Sequence, residues 1–440
     1  MLEKSLKGPV VSNALLANIS LLRSETRPKA YRAVANHRAS HPHVKWISIV
    51  GARPHFVKLG PICRAIAEHN RQFPGKEIDH QIIQTGQHYD HEIAALFFHE
   101  MNIAAPRYNL GVGSGSHGTQ LARMLARMEP ILCSQQPNWV IVYGDTNSTL
   151  AGALLAARRK LPVAHVEAGC RSGNLAQPEE QNRILTDHLS QLLLVASSNC
   201  AEMLHREGIS SKTDPAKRRI ACVGDILLDA LLQHADVAQQ HADMYLDEFG
   251  LRRNQYYLLT LHGPENTDDV NRLRAILDAV SSLDLPVLFP VHPRTRRVLA
   301  EQGISADGNI KAVPPQGYLE MLAFEKNARK ILTDSGGVQK EAFYLGVPCI
   351  TLRDRTEWIE TVQAGANRLV SACPSEILAA VADPTRVTWQ EFTPYGDGTA
   401  AQRIVAELLA ASPPNKALSA ATRNSSSRET RFNLTTHAPI

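Results

Sequence analysis

Short apolar runs rich in β-branched residues alternate with longer helical patterns along most of this chain, and that alternation narrows its possible folds more than any other feature. The runs are Trp46-Ile47-Ser48-Ile49-Val50, His80-Gln81-Ile82-Ile83, Trp139-Val140-Ile141-Val142-Tyr143, Val163-Ala164-His165-Val166 and Leu192-Leu193-Leu194-Val195. Runs that are apolar on both faces and separated by helices predict a parallel sheet covered on both sides. A second series begins near Ala221-Cys222-Val223 and continues through Tyr257-Leu258-Leu259-Thr260-Leu261, Val287-Leu288-Phe289-Pro290-Val291, Lys330-Ile331-Leu332-Thr333 and Cys349-Ile350-Thr351-Leu352. With 440 residues the chain is longer than one hydrophobic core usually grows. The expected fold class is therefore α/β, with two doubly wound parallel-sheet domains facing across a cleft.

The expected organisation is a disordered basic tail over 1–42, an N-terminal α/β domain over 43–221 and a C-terminal α/β domain over 222–385. A helix within 386–412 is expected to pack back on the first domain, and a Ser/Thr/Asn/Arg-rich disordered tail covers 413–440. Hydrophobic residues at 44% and charged residues at 20% suit a folded body between the tails. The formal charge of +4 arises from 47 basic and 43 acidic residues, so nothing in it favours nucleic acid as a partner. No stretch approaches the roughly 18 apolar residues that span a bilayer, and the N-terminus has no leader pattern. Stable membrane insertion is not expected, and a cytoplasmic location is. The cysteines, seven in number, include no CxxC pair and sit in apolar surroundings, which predicts reduced core thiols and no zinc site.

In open parallel sheets ligands bind beyond the C-terminal ends of the strands, so chemistry is sought there. The first run leads into Gly51-Ala52-Arg53-Pro54, with Lys58 in the opening turn of a helix, a combination suited to an oxyanion or diphosphate. Without a GxGxxG pattern, this domain offers no dinucleotide site. Asp145 and Glu167 each follow a strand, and Glu179 and Glu180 stand where a loop enters a helix. Either glutamate could serve only to favour the helix start. Three carboxylates in successive loops nevertheless point to acid–base work, which needs carboxylates in distinct environments.

In the second series His262 and His292 each end a strand, and Thr333-Asp334-Ser335-Gly336-Gly337-Val338-Gln339-Lys340-Glu341 reads as strand, small-residue turn and helix start. Ser335 and the exposed N–H groups beside Gly336 and Gly337 can hold phosphate, and Glu341 can accept hydrogen bonds from ribose hydroxyls.

In their order along the chain, these motifs closely resemble the non-hydrolysing UDP-N-acetylglucosamine 2-epimerase family, whose two-domain fold is glycosyltransferase-B-like. The resemblance covers about residues 44 to 372. It rests on Gly51 to Pro54, Thr85-Gly86-Gln87-His88, Gly144-Asp145-Thr146, His165-Val166-Glu167-Ala168-Gly169, Pro178-Glu179-Glu180, Asn182-Arg183, His262 with Glu265-Asn266, and Asp334-Ser335-Gly336-Gly337. It implies interconversion of UDP-GlcNAc and UDP-ManNAc at C2 through 2-acetamidoglucal, without cofactor or metal, by a homodimer serving exopolysaccharide or surface polysaccharide synthesis. The second domain would bind UDP. Carried over, Asp145, Glu167 and Glu179 are the acid/base carboxylates and His262 assists the departing diphosphate. Arg53, Lys58, Gln87, His88, Arg183, His292, Ser335, Gly336, Gly337, Glu341 and Arg353 would line the substrate site.

Two departures qualify the resemblance. Gly263-Pro264 follows His262 where the family commonly has a basic residue linked to substrate-derived allostery, so allosteric activation is not carried over. Trp358 stands where many members have Arg, which leaves Arg353 or Arg355 to make that phosphate contact. Trp358, together with His292-Pro293-Arg294-Thr295, also resembles the branch acting on UDP-2,3-diacetamido-2,3-dideoxyglucuronate.

Overall fold

Seven parallel strands build the first sheet: β1 (Val44–Val50), β2 (Ile78–Gln84), β3 (Tyr108–Asn109), β4 (Trp139–Tyr143), β5 (Val163–Ala168), β6 (Leu192–Val195) and β7 (Arg219–Cys222). Their spatial order is β3-β2-β1-β4-β5-β6-β7. Six more, β8 (Tyr257–Thr260), β9 (Val287–Pro290), β10 (Ile310–Val313), β11 (Lys330–Thr333), β12 (Cys349–Leu352) and β13 (Asn367–Val370), form a second parallel sheet in the order β10-β9-β8-β11-β12-β13. The structure is a computed structural model that describes residues 44–87, 98, 100–210, 214, 218–384 and 392–411. Both tails, and with them the expectations for 1–42 and 413–440, lie outside the described residues. So does His88.

The central strands are buried along their whole length, as in β4, because helices cover both faces and leave no solvated side to carry polar residues. Trp46, Ile47, Ile49, Val140 and Val142 show no exposed surface and divide between two apolar clusters on opposite faces of the first sheet. The expected two-sheet α/β architecture is present. One strand is misplaced by the sequence reading: Ala221-Cys222 does not start the second series but belongs to β7, which pairs with β6 in the first sheet. A strand that ends a sheet leaves one edge unpaired, and β7 is correspondingly only partly buried, so its residues carry little information about which sheet it joins. The short or exposed strands β3, β10 and β13 escape an apolar-run criterion for a similar reason.

All seven cysteines are free, but only Cys170, Cys200 and Cys349 are buried, while Cys222 is exposed. The expectation of core thiols throughout is corrected to that extent. Among the described residues no helix is long and apolar enough to cross a membrane.

The order of each sheet reverses once, between β1 and β4 in the first and between β8 and β11 in the second. At such a reversal the flanking connections leave toward opposite faces and open a crevice at the strand ends. Beyond the second sheet the helix Ala400–Ala410 returns to the first: the Trp139 indole N–H donates to the Leu408 carbonyl at 3.0 Å, and Ile404 and Leu408 are fully buried.

Candidate active site

The chemistry-bearing residues of the first sheet cluster around its reversal. After β1 comes the helix Arg53–Gln72, with Pro54 in its first turn and Lys58 on its buried side. After β4, Gly144 takes φ +58, and a Cβ there would stand 3.2 Å from both the Lys58 ammonium and a Glu167 carboxylate oxygen. The turn therefore needs glycine both for its backbone and for the ion pair packed against it. Glu167 itself adopts φ +73 without being glycine, a conformation that costs roughly 1–3 kcal/mol and persists only when its surroundings hold it. Those surroundings are an ion pair with Lys58 and a second, at 2.6 Å, with Lys340.

A buried relay supports this strand end. His165 Nε2 donates to the Gly144 carbonyl at 2.7 Å, and Nδ1 meets the Asp187 carboxylate at 2.6 Å. Asp187 in turn accepts from the Gly169 N–H at 3.1 Å and pairs with Arg171 at 2.8 Å. Asp145 lies just above, one-third exposed, and pairs with Arg183 at 2.5 Å. Arg183 is also held by Glu180 at 2.8 Å, and Glu180 accepts from the N–H groups of Ser172 and Gly173. These bonds separate the two adjacent glutamates. Glu180 is a buried structural anchor, whereas Glu179 is half-buried and makes no hydrogen bond or ion pair among the described residues.

The carboxylates consequently differ in state. Burial raises the Asp145 pKa, Arg183 and Lys58 oppose that rise, and Glu179 and Glu167 reinforce it. Glu167 would also be raised by burial, but Lys340 and Lys58 outweigh that cost and hold it well below the usual carboxylate range. Asp145 thus lies within electrostatic reach of both Glu167 and Glu179. Gln87, partly buried, bonds to the start of the helix after β4, its side-chain oxygen accepting from the Ser148 hydroxyl at 2.7 Å and the Ser148 N–H at 3.2 Å.

On the second sheet, Asp334 at the end of β11 is buried and accepts from the N–H groups of His262 and Gly263 and from the Asn266 amide. This fixes the turn after β8. The His262 ring remains partly exposed and lies against His292, with ring centroids 5.3 Å apart. His292 caps the helix Pro293–Glu301 by accepting from the Arg294 N–H. Ser335 caps the helix Gly336–Leu345, accepting from the Val338 N–H at 3.4 Å. The two glycines of this turn have different reasons to lack a side chain. A Cβ on Gly336 would meet Glu357 at 2.7 Å and the Trp358 indole nitrogen at 3.0 Å, whereas one on Gly337 would meet only Ser335, at 3.8 Å. Gly336 makes room for the protein, and Gly337 leaves the helix N-terminus open. Glu341 is buried, and desolvation pushes its carboxyl up to about 7, with Lys340 opposing and Tyr318 adding a hydrogen bond.

Several of the same groups tie the sheets together. Arg53 donates to the Gln316 carbonyl at 2.7 Å, and Arg355 donates to the Gly173 carbonyl at 3.1 Å. Arg353 pairs with Glu265 and Glu357, each at 3.0 Å, and reaches Gln177 at 3.5 Å. Sequence reasoning missed Lys340 and Asp225. In sequence Lys340 is one more residue of a helix start and Asp225 belongs to no motif, and only the folded chain brings them together at 2.8 Å.

A family model described as UDP-N-acetylglucosamine 2-epimerase matches residues 72–409. The chain is 43% identical over 371 residues to a UDP-N-acetylglucosamine 2-epimerase homolog of Methanococcus maripaludis, covering 83% of this chain and 99% of that one. It is 40% identical over 371 residues to the UDP-2,3-diacetamido-2,3-dideoxy-D-glucuronate 2-epimerase of Pseudomonas aeruginosa, again covering 83% and 99%. The crystal structure of Methanocaldococcus jannaschii UDP-GlcNAc 2-epimerase in complex with UDP-GlcNAc and UDP superposes with a TM-score of 0.76 at 41% identity, covering 83% of this chain and 100% of that chain. Likeness of this extent, running through both sheets, makes the chain a member of the UDP-N-acetylglucosamine 2-epimerase family.

Proposed function

We propose that the protein inverts C2 of a UDP-linked 2-acetamido sugar without hydrolysing it, with UDP-GlcNAc and UDP-ManNAc as the pair. The observation that carries this reading is the set of three carboxylates in unlike states at one sheet reversal: Glu167 clamped by two lysines, Asp145 raised by burial, and Glu179 with no hydrogen bond or ion pair among the described residues. The C2 proton is too weakly acidic for simple removal, so its loss is coupled to breaking the C1–O bond to UDP. That step yields 2-acetamidoglucal, and UDP then adds back as a proton reaches the opposite face. The route is redox-neutral. Inversion requires proton transfer on both faces of the sugar, and Asp145 and Glu179 suit those two positions. Glu167, kept ionised, suits the positive charge that develops at C1.

The departing diphosphate would be met by Ser335, the open N-terminus at Gly337, His262 and His292, with Arg53, Lys58, Arg183 and Arg353 ordering the cleft around it. Glu341 would take the ribose, and Gln87 and His88 complete the proposed site. The division into a carboxylate-bearing unit over 43–221 and a UDP-holding unit over 222–385 belongs to the same reading. So do a cytoplasmic homodimer and a role in making exopolysaccharide or surface polysaccharide.

A second substrate, UDP-2,3-diacetamido-2,3-dideoxyglucuronate, is favoured by the Pseudomonas aeruginosa relative and by Trp358, which fills the place where many members have Arg. Proton NMR of the purified protein with each sugar in D₂O decides between them. Deuterium at C2 with appearance of UDP-ManNAc is the expected result, exchange on the uronate alone would transfer the protein to that branch, and exchange on neither would reject both. Asp145→Asn is expected to abolish exchange while leaving UDP affinity within a few-fold.

A further inference from the structure

We propose that Lys340 is a positioning residue that sets the charge state of Glu167 from the opposite domain, so that the carboxylate is fully prepared only when the two sheets close on each other. The proposal rests on the epimerase reading above, in which Glu167 acts at C1. Lys340 extends from the helix Gly336–Leu345 of the second sheet and is 1% exposed. Its ammonium bonds one Glu167 oxygen at 2.6 Å and Asp225 at 2.8 Å, and it lies 3.8 Å above the centre of the Trp358 ring. The other Glu167 oxygen belongs to Lys58, which comes from the first sheet's own helix.

A lysine buried this deeply would normally shed its proton. Here desolvation is overcome by Asp225 and Glu167, which keep it charged. Lys58, Lys340, Glu167 and Asp225 together form a neutral set, two cations against two anions, from which no member can be withdrawn without leaving a buried charge unpaired. The helix that carries Lys340 also presents Ser335 and the open Gly337 turn at its N-terminus. One rigid element therefore holds the proposed diphosphate site and half of the Glu167 clamp. Opening the cleft would withdraw both, leaving a strained, buried Glu167 with Lys58 alone.

The groups that face Glu167 are Lys58 from the first helix, Asp145 after β4, Cys170 on its own loop, and Lys340 and Tyr344 from the opposing helix, with Asp225 behind Lys340. Lys340→Met removes one of the two cations. The acid limb of the kcat profile is expected to move up by about one pH unit or more, with kcat reduced at least tenfold near its foot and KM changed only a few-fold. Asp225→Asn preserves the helix cap at Ile226 but frees Lys340 for Glu167, so the limb should move down instead. Lys340→Arg, which keeps the charge, should return the limb toward its wild-type position. An unmoved limb, or shifts of one sign in both variants, would overturn the proposal.

A second readout needs no turnover. In a double-mutant cycle of Glu167→Gln and Lys340→Met, Tm at pH 8 should be strongly non-additive, the double variant being more stable than the sum of the singles implies. Additive shifts would also overturn the proposal. A wild-type protein that exchanges no sugar proton, with non-additivity intact, would sink the epimerase reading and leave the clamp standing.

Discussion

Glu341 shows how a single side chain can set a cost that depends on pH. Its carboxyl is raised from 4.5 to about 7 by burial, so between those values the folded state binds more protons than the unfolded state. Folding stability therefore falls as pH rises through that window and stays low above it. Glu325 nearby is also raised by burial and by Glu341, which adds in the same direction. Glu341→Gln is expected to raise Tm by several degrees at pH 8 and to converge with the wild type at pH 5, in scanning calorimetry without ligand. A Tm difference that is equal at both pH values would contradict this account. Glu179 and Glu180 are the counterpart case: adjacent and chemically alike, they differ because Glu180 is buried against N–H groups and Arg183 while Glu179 is only half-buried.

At the level of elements, the active geometry is made by turns at strand ends and by what anchors them. The β4 turn is held by His165 from β5, whose ring reaches the Gly144 carbonyl, and by Asp187 from the following helix. Gly144→Ala would place a side chain at φ +58, costing roughly 1–2 kcal/mol, and would press on Lys58 and Glu167 as well. Epimerisation should fall at least tenfold, while far-UV circular dichroism stays native and Tm drops by only a few degrees. Full activity in that variant would show that the Gly144 turn does not govern the Lys58–Glu167 pair. The opposing turn works by packing instead, since Glu357 and Trp358 occupy the volume that a Gly336 side chain would need.

Across the whole molecule, the chain crosses from one sheet to the other and comes back, so the two domains are not independent. The helix Ala400–Ala410 follows all six strands of the second sheet yet buries Ile404 and Leu408 in the apolar cluster shared with Trp46, Trp139 and Ile141 of the first. Ile404→Ala should cost about 2–5 kcal/mol and destabilise the first sheet's face, although the residue lies 182 positions after Cys222, the end of that sheet's last strand. Hydrogen exchange would test this: faster exchange in β1 and β4 is expected, and protection lost only around β12 and β13 would refute it. Arg53, Arg353, Arg355 and Lys340 cross between the sheets by hydrogen bonds and ion pairs, beside an apolar cluster in which Phe343 and Trp358 of the second unit pack with Ala168 and Cys170 of the first.

The sequence by itself determined the two-sheet architecture and the positions of Asp145, Glu167, His262 and Ser335 at strand ends, because a buried parallel strand must be apolar on both faces and the polar residue that follows it stands out; it also placed Glu179 at a helix start. It could not assign β7 to a sheet, since an edge strand is chosen by its neighbour and not by its own pattern. It also could not say which of Glu179 and Glu180 would be bound to Arg183, or why Gly336 differs from Gly337. Those outcomes depend on atoms distant in the chain. Lys340 is the clearest case: in sequence it is one polar residue in a helix, and it becomes the partner of Glu167, 173 positions away, only when two separately built sheets meet and leave its charge no other place to go.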